Sequence, residues 1–323
     1  MLPIAMVAGA SIYLLYHIMP EPVHAIGPFL DGFLDILQPL LIFLMLFLTF
    51  CRIEPRDLKP HKWHWWLLLI QGGSFVALAL VILAILKWVP GDNQGNIILI
   101  ESAMLCMICP TATAAVVVTR KLGGDVAGIT TYVVLINMLT AVLVPLIVPM
   151  IQPVNGMAFW DAFNLILAKV FPLLITPCLA AWLVRYLLPK AHAWLLKFPD
   201  LPFYIWSVAL TLAIAVTTKA IVHTSLSVGI LLKMSLVSLI CCALQFGLGR
   251  YVGAHYRPGR NPASHRVQAS KITAGQSLGQ KNTVFAIWLA YTFMTPETAI
   301  IGGLYSIWHN IYNSLQLYRA GKA

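Results

Sequence analysis

Charge is what this chain has least of. Asp, Glu, Lys and Arg make up 10% of its 323 residues, where a soluble domain carries roughly 25%. Polar stretches are short as well, and no segment between apolar runs exceeds about fifteen residues. That leaves no room for a sizeable soluble domain. The sequence holds no HExxH, no nucleophile elbow and no P-loop, so it offers neither a hydrolytic site nor a means of using ATP. The six cysteines (51, 106, 109, 178, 241 and 242) lie within or at the ends of apolar runs, where a thiol packs as a small hydrophobe. Cys106-Met-Ile-Cys109 is a CxxC without a second pair, so neither a metal site nor a disulfide framework is implied. No cofactor is expected.

What is there is apolar. Hydrophobic residues reach 60% and the mean hydropathy is +0.84, which marks an all-α polytopic membrane protein rather than an enzyme. The net charge of +10 could suggest nucleic acid. The basic residues instead cluster in short joins at the ends of apolar runs, so the expected partner is a lipid bilayer and not nucleic acid.

A helix needs about 20 apolar residues to cross a bilayer. On that ruler the chain reads as ten spans: 2–19, 27–50, 64–88, 96–121, 124–150, 162–188, 202–222, 226–251, 266–293 and 297–318. The first run, Leu2 to Met19, has no basic segment ahead of it and reads as a span, not a signal peptide. Joins after even-numbered spans carry the positive charge: Arg52, Arg56, Lys59 and Lys62, then Arg120 and Lys121, then Arg185, Lys190 and Lys197, then Arg250, Arg257, Arg260, Arg266 and Lys271, with Arg319 and Lys322 in the tail. The opposite joins hold Glu21, Asp92, Asp161 and Glu297, with Lys87 and Lys219 as their main basic residues. The asymmetry predicts an inner-membrane protein with both termini in the cytoplasm. Trp63-His64-Trp65-Trp66 then reads as an aromatic anchor at the inner interface, and Asp31 with Asp35 as a solvated outer rim.

Ten spans divide into two five-helix halves, 1–155 and 156–323, and an odd number per half makes any repeat inverted. Each half interrupts its fourth span. In the first the interruption is Cys109-Pro110-Thr111-Ala112-Thr113; in the second it is Ala274 to Thr283, Ala-Gly-Gln-Ser-Leu-Gly-Gln-Lys-Asn-Thr. Gly275 and Gly279 weaken a helix there. Paired breaks at matching positions point to a transporter's binding site. Freed backbone groups survive in a bilayer only inside protein or beside water, and half-helix N-termini favour anions.

Each residue has a plainer reading. Pro110 could be an ordinary kink, with Thr111 and Thr113 bonding back to backbone. Lys281 could snorkel to an interface, but it lies ten residues beyond Lys271, about 15 Å deeper along a helix. Near mid-membrane a lysine marks function: it would bind an anionic substrate, carry a proton or act as a fixed cation. Glu101 could line an outer vestibule, pair with a lysine or sit at the interface. Leu122-Gly123-Gly124-Asp125 reads as a tight turn.

At these residues the chain resembles the bile acid/sodium symporter superfamily. The resemblance covers nearly the whole chain and rests on Pro39 to Phe50, Gln71, Cys109-Pro110 through Thr113-Ala114 followed by Gly124-Asp125-Val126-Ala127, and Trp308-His309-Asn310. It implies ten spans with broken helices 4 and 9 crossing in mid-membrane. It also implies a panel of spans 1, 2, 6 and 7 beside a core of spans 3–5 and 8–10, and an organic anion as substrate, bile acid-like or a small carboxylate. Carried over, the substrate residues are Thr113, Lys281 and Asn310; the residues of the two breaks add Thr111, Gln276, Gln280 and Asn282 as substrate candidates, and the coupling candidates are Lys281, Glu101 and Gln71. The family's sodium ligands fall on Ala115, Val116, Ile129, Val133 and Gln276, none of which is charged. The expectation is therefore a sodium-independent anion carrier with Lys281 in place of the cation. A symporter with relocated ligands (Thr130, Asn137 or Glu101) and a membrane sensor or channel remain as alternatives.

Overall fold

The computed structural model describes residues 2–19, 27–91, 93–153, 156–198, 200–256 and 265–321. Glu21, Asp92, Arg257, Arg260 and Lys322 lie outside the described residues, as does the side chain of Arg266. Besides one 3-10 turn at Pro55–Asp57, the regular elements among the described residues are α-helices. In chain order they are α1 (Leu2–Ile18), α2 (Gly27–Phe50), α3 (Lys62–Trp88), α4 (Gln94–Ile108), α5 (Ala114–Lys121), α6 (Val126–Ile151), α7 (Phe159–Leu187), α8 (Pro189–Leu196), α9 (Leu201–His223), α10 (Val228–His255), α11 (His265–Gly279), α12 (Thr283–Phe293) and α13 (Pro296–Ala320).

Six of these, α2, α3, α6, α7, α9 and α10, are long and apolar enough to cross a membrane, and the protein is a multi-pass membrane protein. Their outward faces are greasy in the helical rhythm. On α10, Leu232, Leu236, Ile240, Leu244 and Leu248 are all exposed at four-residue steps, a stripe suited to lipid and not to water. Boundaries follow local chemistry. Ser227 accepts the amide of Ile230 at the start of α10, and Thr295 accepts that of Thr298 at the start of α13, where Pro296 occupies the first helical position. Gly123, at φ +77°, makes the turn between α5 and α6. The short helix α8 was not expected; Pro189 starts it, and it seats His192 on the Cys51 carbonyl at 2.7 Å.

α9 lies against α1 and α2, α2 against α7, and α7 against α6; α3 packs on α4 and α6, α10 on α11, α4 and α13, and α9 also on α13. The tetrad at 63–66 divides. Trp65 and Trp66 are exposed as an interface anchor would be, while Trp63 and His64 are buried, with His64 Nε2 2.9 Å from the Gly128 carbonyl. At the opposite end Asp31 is ion-paired with Lys219 at 2.6 Å, so the rim joins α2 to α9.

The long break expected over 274–283 is shorter than the sequence suggests. α11 runs unbroken to Gly279, and only residues 280–282 leave the helix. The glycines do not loosen it; they let α10 approach. A Cβ on Gly279 would sit 2.4 Å from the ring of Phe246, and one on Gly275 2.7 Å from Arg250.

Candidate functional site

Two helix pairs meet end to end in the interior. α4 stops before Pro110, which has no N–H to continue it, and α5 resumes at Ala114. α11 stops at Gly279, and α12 starts at Thr283, where Asn282 Oδ1 accepts the Phe285 amide at 3.2 Å. Between the breaks Thr111 and Lys281 form an isolated antiparallel bridge. The Ala112 N–H donates to the Gln280 carbonyl at 2.9 Å, and the Asn282 N–H to the Pro110 carbonyl at 2.8 Å. Each break thus satisfies peptide groups that the other exposes, which a hydrocarbon surrounding could not do.

Side chains from four other helices hold the remaining carbonyls. Gln71 Nε2 on α3 donates to Ile108 at 3.2 Å and Cys109 at 2.8 Å, and Tyr132 on α6 fixes it by donating to Gln71 Oε1 at 2.8 Å. Thr140, also on α6, donates to the Ile108 carbonyl. Tyr305 on α13 donates to the Gly279 carbonyl at 2.7 Å and accepts from Gln245 of α10. Thr111 Oγ1 donates to the Ser277 carbonyl at 2.5 Å, and the Cys109 thiol to that of Asn282.

Lys281 is 1% exposed. Its Nζ donates to the Met107 carbonyl at 3.2 Å and borders a void of about 10 Å³ shared with Cys106, Cys109, Thr283 and Tyr305, space for about one water. The ion pairs among the described residues are Arg56 with Glu54, Arg185 with Glu54, and Lys219 with Asp31; none of them involves Lys281. Among the described residues its amine thus meets a neutral carbonyl and no carboxylate.

The structure sorts the other expected residues unevenly. Thr111, Gln280, Lys281 and Asn282 lie at the crossing, with Gln280 buried and its Oε1 without a protein partner. Thr113 lines a larger cavity described below. Gln276 turns away to donate to Asn313 Oδ1 at 2.9 Å, because the extra turn of α11 points it at α13. Asn310 is bonded to Ser306 and lies 3.9 Å from Met6 Sδ of α1, so none of its hydrogen bonds reaches the crossing. Glu101 neither opens to a vestibule nor meets a lysine; it is buried, accepting from Gln152 at 2.6 Å and Thr298 at 3.0 Å. Ala115, Val116, Ile129 and Val133 are buried in the apolar core. Thr130 Oγ1 and both amide atoms of Asn137 are buried without protein partners.

A cavity of about 330 Å³ opens where the ends of α2, α5 and α9 meet. Thr113 and Thr130 lie in its wall, Phe203 and Trp206 form an apolar side, and Arg52, Arg120 and Lys121 with Asp200 stand around it. Burial first, and then the charge of Arg120, lowers the pKa of Arg52, while Asp200 raises it. The sequence flagged these basic residues only as topology signals. It gave no sign of Tyr132, Ser277, Tyr305 or Asn313, whose part depends on which helix faces meet. Among the described residues no group of three His, Cys, Asp or Glu side chains is placed to hold a metal ion.

None of the curated proteins compared with the chain matches it in sequence. The model of the SBF-like CPA transporter family, which is related to the bile acid/sodium symporters, matches residues 6–321, almost the full length. Crossed half-helices around a buried lysine are thus set in a chain that belongs to the SBF-like CPA transporter family.

Proposed function

We propose that the protein is a secondary transporter of an organic anion that works by alternating access without sodium. The observation that carries this reading is Lys281, buried at the helix crossing and, among the described residues, in no ion pair with a carboxylate. A sodium site needs oxygen ligands, preferably a carboxylate. Here the corresponding positions are apolar, and Gln276 is engaged with Asn313. A protonated Lys281 supplies the same sign of charge that a bound cation would. It attracts an anionic substrate strongly in a low-dielectric interior.

In this reading residues 94–121 and 265–293 each count as one broken span, giving ten spans in two inverted halves, 1–155 and 156–323. The set α1, α2, α7 and α9 forms the panel, and the others form the core that carries the crossing. With the basic joins in the cytoplasm of a cell with an inner membrane, both termini are cytoplasmic and the cavity faces inward. Arg52, Arg120 and Lys121 would gather anions there, and Thr113 would lead them to Lys281. A volume of about 330 Å³ lies at the small end of ligand pockets, roughly 300–1,000 Å³, and favours a small carboxylate over a bile acid-like body.

A sodium symporter with relocated ligands gains some support from unpartnered Thr130 and Asn137. These lie seven residues apart on α6, about 10 Å along the axis, too far to share one ion. Glu101 is already bound to Gln152 and Thr298. Counterflow of radiolabelled pyruvate and taurocholate in proteoliposomes, with and without sodium, tests the reading. Saturable exchange that survives sodium removal supports it; exchange that collapses without sodium favours symport; ohmic current without saturation favours a channel. Absence of counterflow would leave a sensor as the better description.

A further inference from the structure

The inner half of α13 carries a row of polar side chains that starts at Tyr305, which braces the crossing, and continues beyond it. Tyr305, His309 and Asn313 follow at four-residue steps, with Gln316 three further on, so all four share one face. Tyr305 borders the void beside Lys281. The His309 ring meets Tyr305 edge-on, with centroids 5.6 Å apart. Asn313 accepts from Gln276, and Gln316 Oε1 accepts from Arg250 at the basic end of α10. The face thus runs from the basic side of the membrane to Lys281.

Along it, protein atoms leave much polar capacity unmet. Both ring nitrogens of His309 are buried without a protein partner, and so are Asn313 Nδ2, Gln316 Nε2, and Ser277 Oγ and Gln276 Oε1 on the facing α11. His309 is 2% exposed and Asn313 3%. A buried polar group without a protein partner is bonded to ordered water or costs about 1–3 kcal/mol. A whole row of such groups is most economically met by a file of waters.

We propose that the Tyr305–His309–Asn313 face of α13 is a hydrated proton path between the basic side and Lys281, with His309 as its relay. This rests on the carrier reading above and gives that carrier its coupling ion. In the step, a Lys281 ammonium that took up its proton with the anion from the opposite side gives that proton to water at the Tyr305 end and returns to the neutral amine. A neutral His309 accepts the proton from the hydronium so formed at one ring nitrogen and releases the proton of its other nitrogen to water toward Asn313 and the basic side, so one proton crosses per cycle. Lys281 faces the thiols of Cys106 and Cys109 from α4 and of Cys241 from α10; the Tyr305 hydroxyl has the Cys242 thiol beside it, and the Tyr305 ring meets that of His309. None is a carboxylate, so no acid competes for the proton.

Two measurements test the path separately from the carrier. Radiolytic hydroxyl-radical labelling marks side chains beside buried water and needs no substrate. Tyr305 and His309 should be oxidised despite their burial, and Asn313→Leu should suppress this at least fivefold while Asn313→Ser restores it. In liposomes loaded with a pH-sensitive dye, pyruvate or taurocholate entry should carry protons inward. An inward-directed proton gradient should drive accumulation that His309→Phe and Asn313→Leu reduce tenfold or more, with counterflow kept. Unlabelled Tyr305 and His309, or counterflow without any proton movement, would overturn the path and leave the carrier standing. If His309→Phe removed counterflow as well while Asn313→Leu left proton movement intact, the relay assignment would be wrong. Absent counterflow would instead fail the carrier reading, with the labelling still deciding whether the water file exists.

Discussion

The side-chain amide of Gln71 donates to the carbonyls of Ile108 and Cys109, and Tyr132 holds it in that orientation. A glutamine expected to take part in coupling is therefore a brace for the end of α4. Gln71→Leu would leave two buried carbonyls and a phenol hydroxyl with one partner fewer, each worth about 1–3 kcal/mol. We expect a clear loss of thermal stability in detergent, read by intrinsic fluorescence. Gln71→Glu should be worse still, because a carboxylate cannot donate to those carbonyls. Wild-type melting for Gln71→Leu would refute the bracing role.

Lys281 is the residue on which transport should depend most. Lys281→Met removes the charge at similar length and should lower initial anion uptake at least a hundredfold, with little loss of fold because a buried cation is desolvated at cost. Lys281→Arg should not rescue it. The void beside the amine is about 10 Å³, too small for a planar guanidinium with its fork of donors. Uptake by the arginine variant near wild-type level would show that charge alone, without shape, suffices.

The cavity reaching Thr113 opens toward Arg52, Arg120 and Lys121, so access is one-sided. All six native cysteines are buried, which keeps background labelling low. Thr113→Cys should react with a membrane-impermeant thiosulfonate from the cytoplasmic face of oriented vesicles and should be protected by transported anion. Equal labelling from both faces would contradict the proposed inward-facing orientation.

Helix contact at glycine sets another expectation. A Cβ on Gly249 would lie 2.4 Å from the Ala274 carbonyl oxygen, and that neighbour is backbone that cannot swing aside. Gly249→Ala should push α10 from α11 and cost about 1–3 kcal/mol. Gly73→Ala, with nothing within 4 Å, is the matched control and should melt like wild type.

Outside the membrane, Glu54 accepts from Arg56 and from Arg185 at the end of α7. The Arg56 hydrogen bond, followed by the charges of both arginines, holds its carboxyl below the usual range. A depressed carboxylate stabilises above its unfolded pKa, near 4.3, and that stabilisation is lost as pH falls through the folded value. Melting curves of wild type and Glu54→Gln should differ slightly at pH 7, less so in high salt, and converge at acidic pH.

How much of this was legible beforehand depends on what each feature rests on. Pro110 and Lys281 announce themselves locally: one lacks a donor, the other puts a charge in an apolar run. Both breaks were placed correctly in outline. The extent of the second was not, because Gly275 and Gly279 read as weak helix when taken alone and as a packing surface once Phe246 and Arg250 press on them. The partners of Gln276 and Asn310 were also missed. A sequence gives spacing along one helix, whereas the meeting of Gln276 with Asn313 depends on how two helices are rotated about their own axes.

The bridge between Thr111 and Lys281 uses peptide groups, Ala112 with Gln280 and Asn282 with Pro110. Main-chain pairing is indifferent to what the side chains are. Side chains at the crossing can therefore be exchanged while the junction keeps its shape. The crossing is a socket that stays put while its lining is rewritten, so a change in what it holds demands point substitutions and not a new architecture.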